Sequence, residues 1–110
     1  MGFKSLLAYQ KGFDLSMKIF MISKKFPQEE KFSLTSQIIR SSRAVCSAIA
    51  KAYRKRQYIK HFKSKLSDAD SENSETQLWL DFAIACKYIT EKENDELQKQ
   101  SIEIGNLLTI

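Results

Sequence analysis

Between Lys51 and Lys65 the chain reads KAYRKRQYIKHFKSK, which holds seven Lys or Arg, one His and no acid. Cations at this density displace counterions from a polyphosphate whatever its base sequence, and aromatic rings set among them can stack on bases. Lys51, Arg54, Lys55, Arg56, Lys60 and Lys63 are therefore candidate phosphate contacts, with Tyr53 and Tyr58 as candidate stacking partners. A run of surface charge can equally serve solubility alone, so the position of its counter-charges decides between the two readings. Those counter-charges come later, as five acids and no base between Asp68 and Asp81.

Other chemistry finds little to work with. One His, His61, and two Cys, Cys46 and Cys86, show neither CxxC nor HExxH spacing, and no glycine-rich loop is present to cradle phosphates. Asp68, Glu72 and Glu75 follow at i, i+4 and i+7 and could meet a cation. Without inward-facing His partners, a solvated or ion-paired helix face is the simpler reading. The expectation is a non-enzymatic protein with no cofactor and no metal. His61 reads as an exposed member of the basic cluster, and Trp79 as a packing anchor at the core or an interface.

Such residues need elements to hold them. The 110 residues suffice for one domain, and three Gly and one Pro leave too few turn-formers for a multistranded sheet, which points to an all-α fold. The net charge of +5 makes polyanions natural partners. The first residues lack the uninterrupted apolar run of a signal peptide, and no segment approaches about 18 apolar residues. A cytoplasmic protein with no membrane partner is expected. Cys46 and Cys86 sit among apolar neighbours, where a thiol behaves as a small buried hydrophobe, so no disulfide framework is expected.

The pivotal element is the second helix, LTSQIIRSSRAVCSAIAKAYRKR. At 100° per residue Leu34, Ile38, Val45, Ile49 and Ala52 share an apolar stripe, opposite a seam of Ser36, Arg40, Arg43, Ser47, Lys51 and Arg54. Ile39, Cys46, Ala50 and Tyr53 form a second apolar flank, which suggests contact with more than its own chain.

A first helix from about Ser5 to Lys25 carries Leu6, Tyr9, Phe13, Met17 and Phe20 at helical spacing, with Leu15, Ile19, Ile22 and Phe26 as a neighbouring stripe, so it is apolar over more than one face. Pro27 ends it, and Ser33 or Thr35 is expected to cap the second helix. The third helix is read from about Tyr58 to Thr90, with Ile59, Phe62, Leu66, Ala69, Leu80 and Ile84 as its core and Asn73 and Thr76 as polar interruptions. From Leu78 onward it is apolar nearly all round, so something must cover it. Thr90 or Asn94 caps a fourth helix from about Glu93, on which Leu97, Ser101, Ile104 and Leu108 face inward. Short connections make these four an antiparallel up-down-up-down bundle.

If helices two and three pivot near Arg56, Arg40 lies opposite Glu72 and within a turn of Glu75. Arg40 and Arg43 are then expected in structural ion pairs with Glu72 and Glu75, within the chain or between copies. The same arithmetic sets Lys51 level with His61 and leaves the charge at the turn uncompensated.

The pieces FPQEE, LTSQIIRSSR, AYRKRQY, KLSDAD and ETQLWLDF resemble a bacterial four-helix-bundle family whose founding members are encoded in intervening sequences of 23S rRNA genes. The resemblance covers nearly the whole chain. It implies an antiparallel four-helix subunit that assembles as a ring-like homopentamer. It also suggests kinship with the basic pentameric accessory protein of diversity-generating retroelements, which binds nucleic acid and a reverse transcriptase. Where the family usually has N-I-A-E, this chain has Ala48, Ile49, Ala50 and Lys51, so its seam is the more basic. The expected function is binding of RNA or DNA with little sequence specificity. The alternative is a scaffold or adaptor ring that offers its basic end to an acidic protein.

Overall fold

The computed structural model describes residues 2–109. Four helices follow one another, α1 (Leu7–Ser23), α2 (Leu34–Arg54), α3 (Ile59–Ala85) and α4 (Glu91–Leu108), with short 3-10 turns at Phe3–Ser5 and Gln28–Glu30. α1 packs on α2 and α4, and α3 packs on the same two, so α1 and α3 stand on one diagonal. Along α1 and α4 the ion pairs run in opposite order: Lys11 with Glu103 at 3.3 Å, Lys18 with Glu96 at 3.8 Å, and Lys25 with Glu93 at 2.9 Å. The short links between successive helices make the remaining pairs antiparallel too, giving an all-α four-helix bundle.

The inward stripe of α2 is made of Leu34, Ile38, Val45, Ile49 and Ala52, all buried. All but Ala52 share one cluster with Leu15 and Ile19 of α1, Ala69 and Leu80 of α3, and Leu97 and Ile104 of α4. Of the two apolar stripes expected on α1, the one with Leu15 and Ile19 faces the core. Phe13 and Met17 lie outside, and the buried face is Gly12, Leu15, Ser16, Ile19 and Ser23. Small residues let α1 approach α2 closely: a Cβ added at Gly12 would stand 3.3 Å from Cys46 Sγ. Hydropathy favoured the bulkier stripe, whereas packing distance chose the smaller one. Ile59 and Cys86 are likewise exposed, because each lies at an end of α3 where the neighbouring helices no longer cover it.

Three local devices set the helix ends. Glu30 does the capping expected of Ser33, since its Oε1 accepts from Ser33 Oγ at 2.5 Å and from Leu34 N at 3.3 Å. α3 stops at Ala85 with Lys87 in the left-handed region at φ 63°, while Lys87 N donates to Ile84 O and Tyr88 N to Ala83 O. That is a helix-terminating motif usually built on glycine, and a lysine in its place left no stop signal in the sequence. α4 begins one turn after this, with a reciprocal cap: Thr90 Oγ1 accepts from Glu93 N at 3.1 Å, and Glu93 Oε1 accepts from Thr90 N at 2.9 Å.

The interior also carries a polar layer. Asn73 Nδ2 donates to Ser101 O at 2.8 Å, Ser101 Oγ donates to Asn73 Oδ1 at 2.8 Å, and Gln77 Nε2 donates to Ser101 Oγ at 2.9 Å. Across the core, Thr76 Oγ1 lies 2.9 Å from Ser41 Oγ. Buried polar groups are tolerable only when paired, so each bond admits one sliding position of its helices. Asn73→Ala should therefore cost about 1–3 kcal/mol, mostly by leaving the partners on Ser101 unsatisfied. Urea unfolding followed by circular dichroism would measure it.

Two carboxylates tie the far end together. Hydrogen bonds from Ser33, Tyr88 and Leu34 N hold Glu30 below the usual carboxylate range, and its partner Tyr88 is pushed up to about 12 by the same contact. The Thr90 backbone N–H, and then Lys25, do the same for Glu93. A carboxyl whose pKa is lower folded than unfolded stabilises the fold above the ordinary carboxylate range and loses that contribution as pH falls through its lowered value. Glu30→Gln and Glu93→Gln should therefore melt lower than the wild type near pH 7, with the gap closing on acidification below the ordinary carboxylate range. Melting curves across pH check this; a gap that is constant with pH would contradict it.

Candidate nucleic-acid interface

The basic run lies where α2 passes to α3. α2 reaches Arg54 because its apolar stripe persists to Ala52, and Lys55–Tyr58 then make a tight link closed by a 2.8 Å bond from Tyr58 N to Lys55 O. Lys51, Arg54, Lys55, Arg56, Lys60 and Lys63 are all exposed, and none forms a salt bridge among the described residues. Lys65 alone of the run is paired, with Asp68 at 3.5 Å.

The structure divides the candidates into two groups. Arg54, Lys55, Arg56, Lys60 and Lys63 gather around the turn. Lys51 stands further in, beside a groove of about 280 Å³ that it shares with Lys65, Asp68 and Glu72. It is not level with His61 as the simple pivot implied. The groove sets Lys51 beside Lys65 and Asp68, and the Ser41–Thr76 bond likewise lies about one turn from the pairing that a pivot at Arg56 implies. Two carboxylates thus stand near Lys51, and among the described residues none is paired with the five cations at the tip.

The two aromatic candidates also differ. Tyr53 is half-buried, and its ring carries the Arg56 guanidinium 4.0 Å from the centroid while Arg56 Nη1 donates to Tyr53 O at 2.8 Å. One face of that ring is already occupied. Tyr58 is 62% exposed and forms a T-shaped pair with His61, with centroids 6.3 Å apart, so it is the ring more open to a base.

Along the seam, Arg40 Nη1 and Nη2 lie 3.3 and 3.2 Å from the two oxygens of Glu72, and Nη2 also bonds Glu75. Glu72 above all raises the pKa of the guanidinium beyond its ordinary value. Trp79 Nε1 donates to Glu75 Oε2 at 3.3 Å. The two carboxylates are thus committed to Arg40. Arg43 departs from the expected ion pair: it forms no salt bridge among the described residues, and its guanidinium lies 5.2 Å from the centroid of Phe20, whose ring Lys24 also approaches at 4.9 Å. The α1–α2 contact brings Phe20 under it, on the side of α2 away from Glu72. Cys46, beside the same contact, is raised by burial to about 11.

One residue of this end was missed in the sequence. Lys4 shares a hollow of about 340 Å³ with Gly2, Phe3, Tyr53 and Arg54. Nothing in its neighbourhood marks it; only the up-down order, which returns the start of α1 to the end of α2, could have found it.

The fold and its parts have counterparts. The family model of the 23S rRNA-intervening sequence proteins matches residues 4–110. Among solved structures, a protein of unknown function from the S23 ribosomal protein family of Bacteroides thetaiotaomicron VPI-5482 is 30% identical. The likeness spans 93% of this chain and 91% of that one, with a TM-score of 0.83. No curated protein matches this chain. With nearly its full length matched, the chain belongs to the 23S rRNA-intervening sequence protein family.

Proposed function

We propose that this protein is a non-catalytic ring of five copies whose α2–α3 tips together bind RNA or DNA with little sequence preference. The observation that carries the reading is the five unpaired cations around the turn, with Tyr58 open beside them. Pairing of Glu72 and Glu75 with Arg40 supports it, because the nearby acids are spent within the bundle. The contacts available are phosphate contacts plus stacking on one ring, which carry affinity and little base discrimination.

Assembly is supported by two apolar patches on the diagonal helices. Phe13, Met17 and Met21 stand out from α1, and Leu78 and Phe82 from α3. Standing on diagonal helices, they suit a head-to-tail contact more than a self-complementary dimer. Head-to-tail contacts that close make rings, and the family resemblance implies five.

In a filter-binding titration, affinity for RNA or DNA should fall steeply as salt rises. Replacing Lys55, Arg56, Lys60 and Lys63 by Ala should flatten the log–log slope by about 0.7–0.9 for each phosphate no longer neutralised, whereas Lys24→Ala and Lys92→Ala at the far end should leave it unchanged. Light scattering should find a particle of five 12.7 kDa chains. Absence of binding at low salt, with an acidic protein bound instead, would favour the scaffold reading; a monomer would overturn the ring.

A further inference from the structure

The basic end of the bundle is hollow. A cavity of about 460 Å³ opens there, within the range of small-molecule sites. Its floor includes Ile49, Ala52 and Leu108, all buried, and Phe62 and Leu66 of α3 contribute to its wall. Leu7 and Leu107 line it from α1 and α4, and they are 53% and 43% exposed, large apolar side chains left at the surface. Arg56 is the one charged residue of the lining, and it is held in place by its bond to Tyr53 O and by the Tyr53 ring. Tyr53 lines both this cavity and the neighbouring hollow that contains Lys4 and Arg54.

The segments that build this end are residues 2–11, 49–66 and 104–109. Among the described residues their Lys4, Lys51, Arg54, Lys55, Arg56, Lys60 and Lys63 form no salt bridge, while Lys11 and Lys65 are paired with Glu103 and Asp68 just outside these segments. An apolar chamber with Arg56 in its lining, and Arg54 and Lys4 in the adjoining hollow, complements a ligand with an apolar body and an anionic head. A nucleobase fits poorly, because its polar edges would be buried against Leu, Ile and Ala with few partners. A cationic or neutral hydrocarbon would gain nothing from the rim.

We propose that this cavity binds a single-chain fatty acid, the alkyl tail among the leucines and the carboxylate at the mouth with Arg56, Arg54 and Lys4. The proposal is independent of the ring and of nucleic-acid binding. Calorimetric titration of the whole protein with dodecanoate, below its micellar concentration, should give one site per chain. Dodecylamine, of equal length and opposite charge, should bind at least about tenfold more weakly, and Arg54→Ala with Arg56→Ala should weaken dodecanoate by about tenfold, the scale of a pair of exposed charge contacts.

Ala8→Phe, from the half-buried lining, should abolish binding by filling the chamber. Leu107→Trp at the exposed lining should weaken it in a chain whose helical circular dichroism is unchanged, and so keeps the test valid if Ala8→Phe does not fold. Dodecylamine binding as tightly as dodecanoate, or undiminished binding in the cavity variants, would overturn the proposal. So would co-sedimentation with phosphatidylglycerol vesicles by a chain that takes up no dodecanoate.

Discussion

Registration of α2, α3 and α4 against one another rests on a few buried hydrogen bonds. Apolar contacts alone permit helices to slide with little change in buried area, whereas Thr76 against Ser41, and Asn73 with Gln77 against Ser101, have partners in one position only. From that position the electrostatics follow. Arg40 comes opposite Glu72 and Glu75, the acids of mid-α3 are committed there, and the cations after Lys51 reach past the last carboxylate. The basic tip is thus a product of register as much as of composition.

That separation of signs shapes how the surface can be used. The far end mixes Glu29, Glu30, Glu91 and Glu93 with Lys24, Lys25 and Lys31, and its charges are partly paired, as in Lys25–Glu93. Exposed pairs of this kind contribute little stability and no net field, whereas unpaired cations at the other end add to one another. Family membership supplies the architecture on which this asymmetry is drawn, and the local charges supply the argument for a polyanion.

Legibility in the sequence tracked how far each feature depends on one helix. The inward stripe of α2, from Leu34 to Ala52, was readable because a single face does the packing. α1 was readable only as two stripes, because Phe13 and Met17 outweigh Gly12, Ser16 and Ser23 in hydropathy while the close approach to Cys46 requires the small residues beside Leu15 and Ile19. Periodicity cannot tell a face turned to its own core from one left for another surface. The end of α3 was hidden for a different reason, since Lys87 adopts a backbone conformation that usually announces itself as glycine. At the candidate site, the exposed cations were legible from their run, but the capture of Tyr53 by Arg56, the stacking of Arg43 on Phe20 and the return of Lys4 to the same end needed three dimensions.

The bundle measures 44 Å along its axis and about half that across, with a cluster of cations at the pole where α2 passes to α3. Such a body carries a permanent electric moment along its long direction, so a distant negative field exerts a torque on it before any surface is touched. A single chain would swing round and arrive pole first, shortening the search for a productive encounter. In thin electrolyte, where the Debye length of about 30 Å at 0.01 M is comparable with the molecule itself, the whole rod is turned; at about 10 Å in 0.1 M, only the pole is felt.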